Sequence, residues 1–169
     1  MRRLERTLLP NPYVPLIPNW DVHAIGSSGV PASGTVVGSN NLALYMPVVF
    51  PADVTVYELR IISTTATGNY DIGLYDDQFR RLASSGSVAL SNAVKTLALP
   101  DLRLKGGLVY YQALSLSNLA STLVRWGSVV RSLINAGVYQ EASAVPLPAT
   151  ATPVQVVGGA IPLMIFGVR

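Results

Sequence analysis

The chain has no cysteine and a single histidine, His23. The first absence removes disulfides, thiol catalysis and thiolate metal sites together. The second leaves zinc without an ordinary ligand set. Charge is scarce as well. Asp, Glu, Lys and Arg make up 12% of 169 residues against 50% hydrophobic, about half the roughly 25% charge of an ordinary soluble domain. From Val22 to Ala52 there is no Asp, Glu, Lys or Arg, and none again from Ala142 to Val168. A surface this poor in charge belongs either in a membrane or against other chains.

The membrane alternative fails on the sequence. A spanning helix needs about 20 apolar residues. Pro146, Pro148, Pro153 and Pro162 interrupt the longest uncharged tract. Aromatics at 8% are too few for the girdles of a transmembrane barrel. The start, MRRLERTLLPNPYVP, has a basic head but no apolar stretch behind it, so no signal peptide is expected. The net charge of +3 is too mild for a nucleic-acid footprint. Bases interleaved with aromatics are missing too.

Residues 7–19 read TLLPNPYVPLIPN. Pro10, Pro12, Pro15 and Pro18 forbid a helix and favour an extended path. Yet Tyr13, Leu16 and Ile17 are apolar where a solvated linker would be polar. An extended apolar arm needs a groove, on its own domain or on a neighbour. Arg2, Arg3 and Arg6 precede it, either as a solvated tail or as contacts to an acidic partner surface. The arm, residues 1–19, and the following Trp20 are the candidate partner-binding segment, with Arg2, Arg3, Arg6, Tyr13, Leu16, Ile17 and Trp20 as its contacts. Residues 20–169 form one domain.

Short runs with period two dominate that domain, which is the signature of strands. Expected strands cover Leu42–Phe50, Val54–Ile62, Tyr70–Tyr75, Phe79–Ser84, Val88–Leu90, Val94–Leu99, Leu108–Leu116 and Ile161–Val168. Pro47 suggests an edge position or a bulge. In Val54–Ile62, the face carrying Thr55, Tyr57, Leu59 and Ile61 is the better core candidate. In Tyr70–Tyr75, alternation with Asp71, Gly73 and Tyr75 predicts a half-buried strand. A strand at Leu123–Trp126 and a short helix or turn near Val129–Asn135 complete the expectation. Eight or more short strands with frequent turns make an all-β domain, a single β-sandwich or jelly roll.

No catalytic constellation emerges. His23 lies two residues from Asp21, but no nucleophile elbow such as G-x-S-x-G occurs. The carboxylates Glu5, Asp21, Asp53, Glu58, Asp71, Asp76, Asp77, Asp101 and Glu141 have no motif around them, and most fall at expected turns or in the arm. Asp76-Asp77 reads as a turn, with cation binding as the alternative. Together with Asp71, Arg80 and Arg81 it makes the stretch NYDIGLYDDQFRRLASSG a charged hairpin, expected at the solvated tip of the domain. Trp20 and Trp126 are core or interface anchors, or sugar-stacking rings. No catalytic residue, cofactor or metal is expected, and the chain is not expected to be an enzyme.

The stretch YELRIISTTATGNYDIGLYDDQFRRLASSGSVALSNAVKTLALPDLRLKGGLVYYQALSLS resembles a module common in bacteriophage virion proteins. An alternating strand leads to a "GLYD" strand, a turn, a "LASSG" strand, a "VKTLAL" strand and a tyrosine-rich "YYQALSLS" strand. VPLPATAT and IPLMIFGV extend the likeness to the end, over about residues 54–168. The resemblance implies a β-sandwich or jelly roll of the kind used in tail fibres, spikes and capsid decoration, usually as homotrimers. The first 50 residues carry no coiled-coil heptads and no fibre shaft. The expectation is therefore a capsid decoration or cement subunit. It would sit in the virion after assembly in the host cytoplasm, bound to the major capsid protein or other virion proteins. The alternative is a tail-fibre, spike or adaptor component that attaches to the virion and binds host glycan.

Overall fold

The computed structural model describes residues 13–14, 32–65, 67–125, 138–142, 144–156 and 162–169. These form an all-β sandwich. The strands are β1 (Tyr13–Val14), β2 (Ala32–Thr35), β3 (Leu42–Val49), β4 (Val54–Ile62), β5 (Asn69–Tyr75), β6 (Arg81–Ser84), β7 (Val88–Ala89), β8 (Val94–Leu104), β9 (Val109–Leu116), β10 (Thr122–Arg125), β11 (Tyr139–Ala142), β12 (Val154–Gln155) and β13 (Met164–Val168). The small sheet runs β1-β13-β4-β8. The large sheet runs β12-β11-β3-β9-β5-β6, with β7 also on β5. β2 and β10 pair as a separate ribbon. Every pairing is antiparallel.

The main core lies between the two sheets. Leu44, Met46 and Val48 of β3, Ile72 and Leu74 of β5, and Leu114 and Leu116 of β9 meet Val56, Leu59 and Ile61 of β4 and Phe166 of β13. Phe50 sits edge-on to Phe166, with ring centroids 5.6 Å apart. Burying an aliphatic side chain contributes about 1.5–3 kcal/mol each, so this layer dominates the stability of the sandwich.

The phase of β4 departs from strict alternation. Val56, Leu59 and Ile61 are all buried, which period two forbids. Val56 and Glu58 pair with the adjacent Val168 and Gly167 of β13, which leaves Tyr57 as the extra residue of a bulge, and the register against β8 shifts at the same place. Before the bulge the core face carries Val54 and Val56; after it, Leu59 and Ile61. Thr55 and Tyr57, placed on the core side by the sequence pattern, therefore lie off it.

β8 is longer than expected. It continues from Val94 through Pro100 to Leu104, because the shifted register absorbs the proline opposite the bulge and Asp101 takes a positive φ of 45°. Pro47 lies where β3 is a local edge, paired on one side only, as the sequence suggests. It pairs with Tyr111 in β3, otherwise an interior strand of the large sheet. The pairing of β11 covers only Leu42–Tyr45, so Pro47 sits beyond it and removes no N–H from that ladder.

The expected strand near Leu123 is β10. Trp126 and the expected helix or turn at Val129–Asn135 lie outside the described residues.

Candidate interaction surfaces

Of the seven arm contacts, the structure places one. Tyr13, with Val14, pairs through its backbone with Gly167 and Phe166 of β13 and so extends the small sheet by one short strand. Pro12 and Pro15 bracket this pair in the sequence. Arg2, Arg3, Arg6, Leu16, Ile17 and Trp20 lie outside the described residues, as do Asp21 and His23.

The tip of the charged hairpin is exposed at Asp77, Gln78, Arg80 and Arg81, as its composition suggests, but Asp71 is not part of that tip. β5 is buried on both faces from Tyr70 to Tyr75, and Asp71 is 0% exposed. The face of the large sheet turned away from the main core carries a second apolar layer of Ala43, Tyr45, Tyr75, Ala113, Ala144, Leu147 and Ala151. The proline-rich segment 144–151 lies across that face as a strap. Asp71 is therefore enclosed between sheet and strap, which its alternation with apolar neighbours could not reveal.

The hairpin holds the strap. One carboxylate oxygen of Asp71 accepts from the Leu147 N–H at 2.9 Å, and the carboxylate also accepts from the hydroxyls of Ser84 and Ser85 at 2.7–2.9 Å. Arg81 donates from its guanidinium to the Leu147 carbonyl at 2.5 Å and from its backbone to the Ala149 carbonyl at 2.9 Å. Tyr75 donates to the Pro148 carbonyl at 2.5 Å. The Ala151 N–H donates to the Phe79 carbonyl at 2.9 Å. Asp71 and Ser84-Ser85 thus join three parts of the sequence pattern: the GLYD strand, the LASSG strand and VPLPATAT.

Asp76 makes the turn. Its Oδ1 accepts from the backbone N–H groups of Gln78 and Arg80, and its Oδ2 from Arg80 Nε at 2.7 Å. Burial pushes its carboxyl up, but these hydrogen bonds and the Arg80 charge outweigh that and hold it below the usual value. Its oxygens are committed to the protein, in line with the turn reading. Among the described residues no group of three or more His, Cys, Asp or Glu is placed to hold a metal ion.

An aromatic cluster spans the strap side of the large sheet. Phe79 stacks on Tyr111 with centroids 4.2 Å apart. Tyr139 meets both rings edge-on at 5.4 and 5.7 Å. Tyr45 meets Phe79 and Tyr75 edge-on. Burial, with Tyr75 and Glu141 nearby, pushes the Tyr45 phenol far above its ordinary value, and burial does the same to Tyr75. Both stay neutral donors, Tyr45 to Glu141 at 2.9 Å. These rings come from β3, β5, the turn, β9 and β11, so no local spacing in the sequence announces the cluster. Phe79, Tyr111 and Tyr139 form its half-buried rim.

Phe79 occupies the left-handed region, φ 56°, in a position of the hairpin loop that favours glycine. Backbone strain there costs roughly 1–2 kcal/mol, while deleting a buried phenyl ring costs roughly 3–5 kcal/mol; the half-buried ring here falls below that range. Phe79→Gly is therefore expected to destabilise the domain by roughly 1 kcal/mol net. Chemical denaturation measures this directly; a stabilised variant would mean the strain outweighs the ring contacts.

Other large apolar side chains reach solvent outright: Leu82 40%, Val88 43%, Val94 53%, Leu108 51%, Leu119 45% and Val154 64%. Leu82 and Val88 sit on β6 and β7, and Val94 opens β8, an edge of the small sheet. No family model, no curated protein and no solved structure matches the chain.

Proposed function

We propose that this chain is a non-enzymatic structural subunit of a bacteriophage virion, a capsid decoration or cement protein that works as a homotrimer. The observation that carries the proposal is the surface. Charged residues are 12% of the chain, and large apolar side chains such as Val94 and Val154 are more than half exposed. Obligate interfaces are more apolar than ordinary surface, and these side chains are suited to being covered by other copies and by the shell. The resemblance to virion modules agrees with it.

The work of such a subunit is mechanical. It binds the assembled shell and not the free capsid protein, so its binding energy adds to the stability of the shell by mass action. The arm crosses to the capsid protein, with Arg2, Arg3 and Arg6 making charge-assisted contacts to acidic groups. Light scattering of the purified chain is expected to give three times the chain mass, and co-sedimentation is expected to show saturable binding to shells. A monomer that ignores shells would overturn the proposal.

A tail-fibre or spike component that holds a host glycan is the second reading. The half-buried rim of Phe79, Tyr111 and Tyr139 favours it, because aromatic faces suit the apolar faces of sugars. Reproducible signal on a glycan array, lost in Tyr111→Ala, would favour this reading over cement.

A further inference from the structure

The small sheet carries a cationic cleft on its outward side. Three strands build it side by side. Thr55 of β4 lies opposite Arg103 of β8. On its other side Thr55 exchanges both backbone hydrogen bonds with Arg169, at 2.9 and 3.0 Å. Adjacent strands are about 4.8 Å apart, so Arg103 and Arg169 flank Thr55 on backbones roughly 10 Å from each other. Lys105 follows Arg103 at the same-face spacing of two, while the intervening Leu104 is buried, 2% exposed. Together with Asp53 and Val54 these residues line an open cavity of about 360 Å³.

The walls are fixed. The turn at 105–107 is tied to the 50–53 segment by Gly106 N–H to Asp53 Oδ1 and Gly107 N–H to the Phe50 carbonyl, both 2.9 Å. A Cβ on Gly106 would lie 2.5 Å from the Ala52 backbone, so the approach requires glycine there. Arg169 is held by an ion pair to Asp101 and lies over the Tyr57 ring at 5.7 Å. Among the described residues the side chains of Arg103 and Lys105 have no ion-pair or hydrogen-bond partner.

We infer that this cleft is a docking site for the carboxylates of an acidic segment on a partner protein, with Arg103 and Lys105 as the receiving cations and Arg169 as the far wall. A guanidinium fork matches a carboxylate in shape. Asp53 and Asp101 lie among the cations and offset part of their charge, so the cleft suits the single charges of carboxylates better than a dense polyphosphate, and it is short where a nucleic-acid track is extended. The inference rests on the reading of the chain as a subunit with virion partners, and it names the chemistry of a second contact, separate from the arm.

The test uses the full chain at low ionic strength and a fluorescent extended peptide of alternating Glu and Val. Saturable binding is expected, weakened about tenfold or more in Arg103→Ala/Lys105→Ala, with the unfolding midpoint unchanged because both side chains are exposed. Lys105→Glu should weaken binding as well, and a Gln-for-Glu peptide should not bind. The inference is overturned if the wild-type chain ignores the peptide, if the variants bind it equally, or if the Gln peptide binds. It is also overturned if sulfate or an oligonucleotide binds as tightly as the peptide. Shell binding by a chain that ignores the peptide would sink this inference and leave the decoration reading standing.

Discussion

Asp71→Ala is expected to lower the stability of the domain by roughly 3 kcal/mol or more. A hydrogen bond to a charged group contributes about 1.5–3 kcal/mol, and this carboxylate accepts from Ser84, Ser85 and Leu147 while 0% exposed. Removing it also leaves the Leu147 N–H buried without its acceptor. For a domain of this size each kcal/mol moves the midpoint by about 2–4 °C, so a fall of roughly 6–12 °C is expected in a thermal melt. The loss should be uneven. The amides of Leu147 and Ala151, which tie the strap to Asp71 and Phe79, should exchange faster, while those in β4 and β13 keep more of their protection. A variant within about 0.5 kcal/mol of the parent, the range of ordinary surface substitutions, would show that the strap is held by its apolar contacts alone.

Deleting residues 1–19 is expected to abolish attachment to shells while leaving the domain folded. Within the described residues the deletion removes only the two-residue pairing of Tyr13 and Val14 with β13, worth about 1 kcal/mol per backbone hydrogen bond. The proposal makes the arm a second point of attachment, and a tethered second contact raises avidity by about 10²–10⁴. Co-sedimentation should therefore show affinity falling by about a hundredfold or more, with the circular dichroism spectrum retained. Equal decoration by the truncated chain would refute the arm mechanism. The fold and the cleft at Arg103 would be untouched by that result.

The strands were legible where one physical signal governed them. β3, β9 and β13 are apolar runs, and their expected bounds lie close to Leu42–Val49, Val109–Leu116 and Met164–Val168. The turns at Asp76 and Gly106-Gly107 follow from residue chemistry alone. What could not be read depends on contacts between distant segments. The bulge at Tyr57 inverts the face of half of β4 without any local mark. Asp71 alternates with apolar residues as a solvent-facing acid would, and only the strap, some 70 residues later, encloses it. The aromatic cluster draws on five segments and the cationic cleft on three, so neither has a spacing to find. Of the arm contacts named from the sequence, only Tyr13 falls among the described residues.

The measurement that tests the central claim most directly is a reconstruction of the virion at a resolution sufficient to place a sandwich of this size. The account predicts this chain on the outer surface of the shell, in threefold groups, with an extended arm reaching onto the capsid protein. Density confined to the tail or its fibres, with a bare shell, would contradict it.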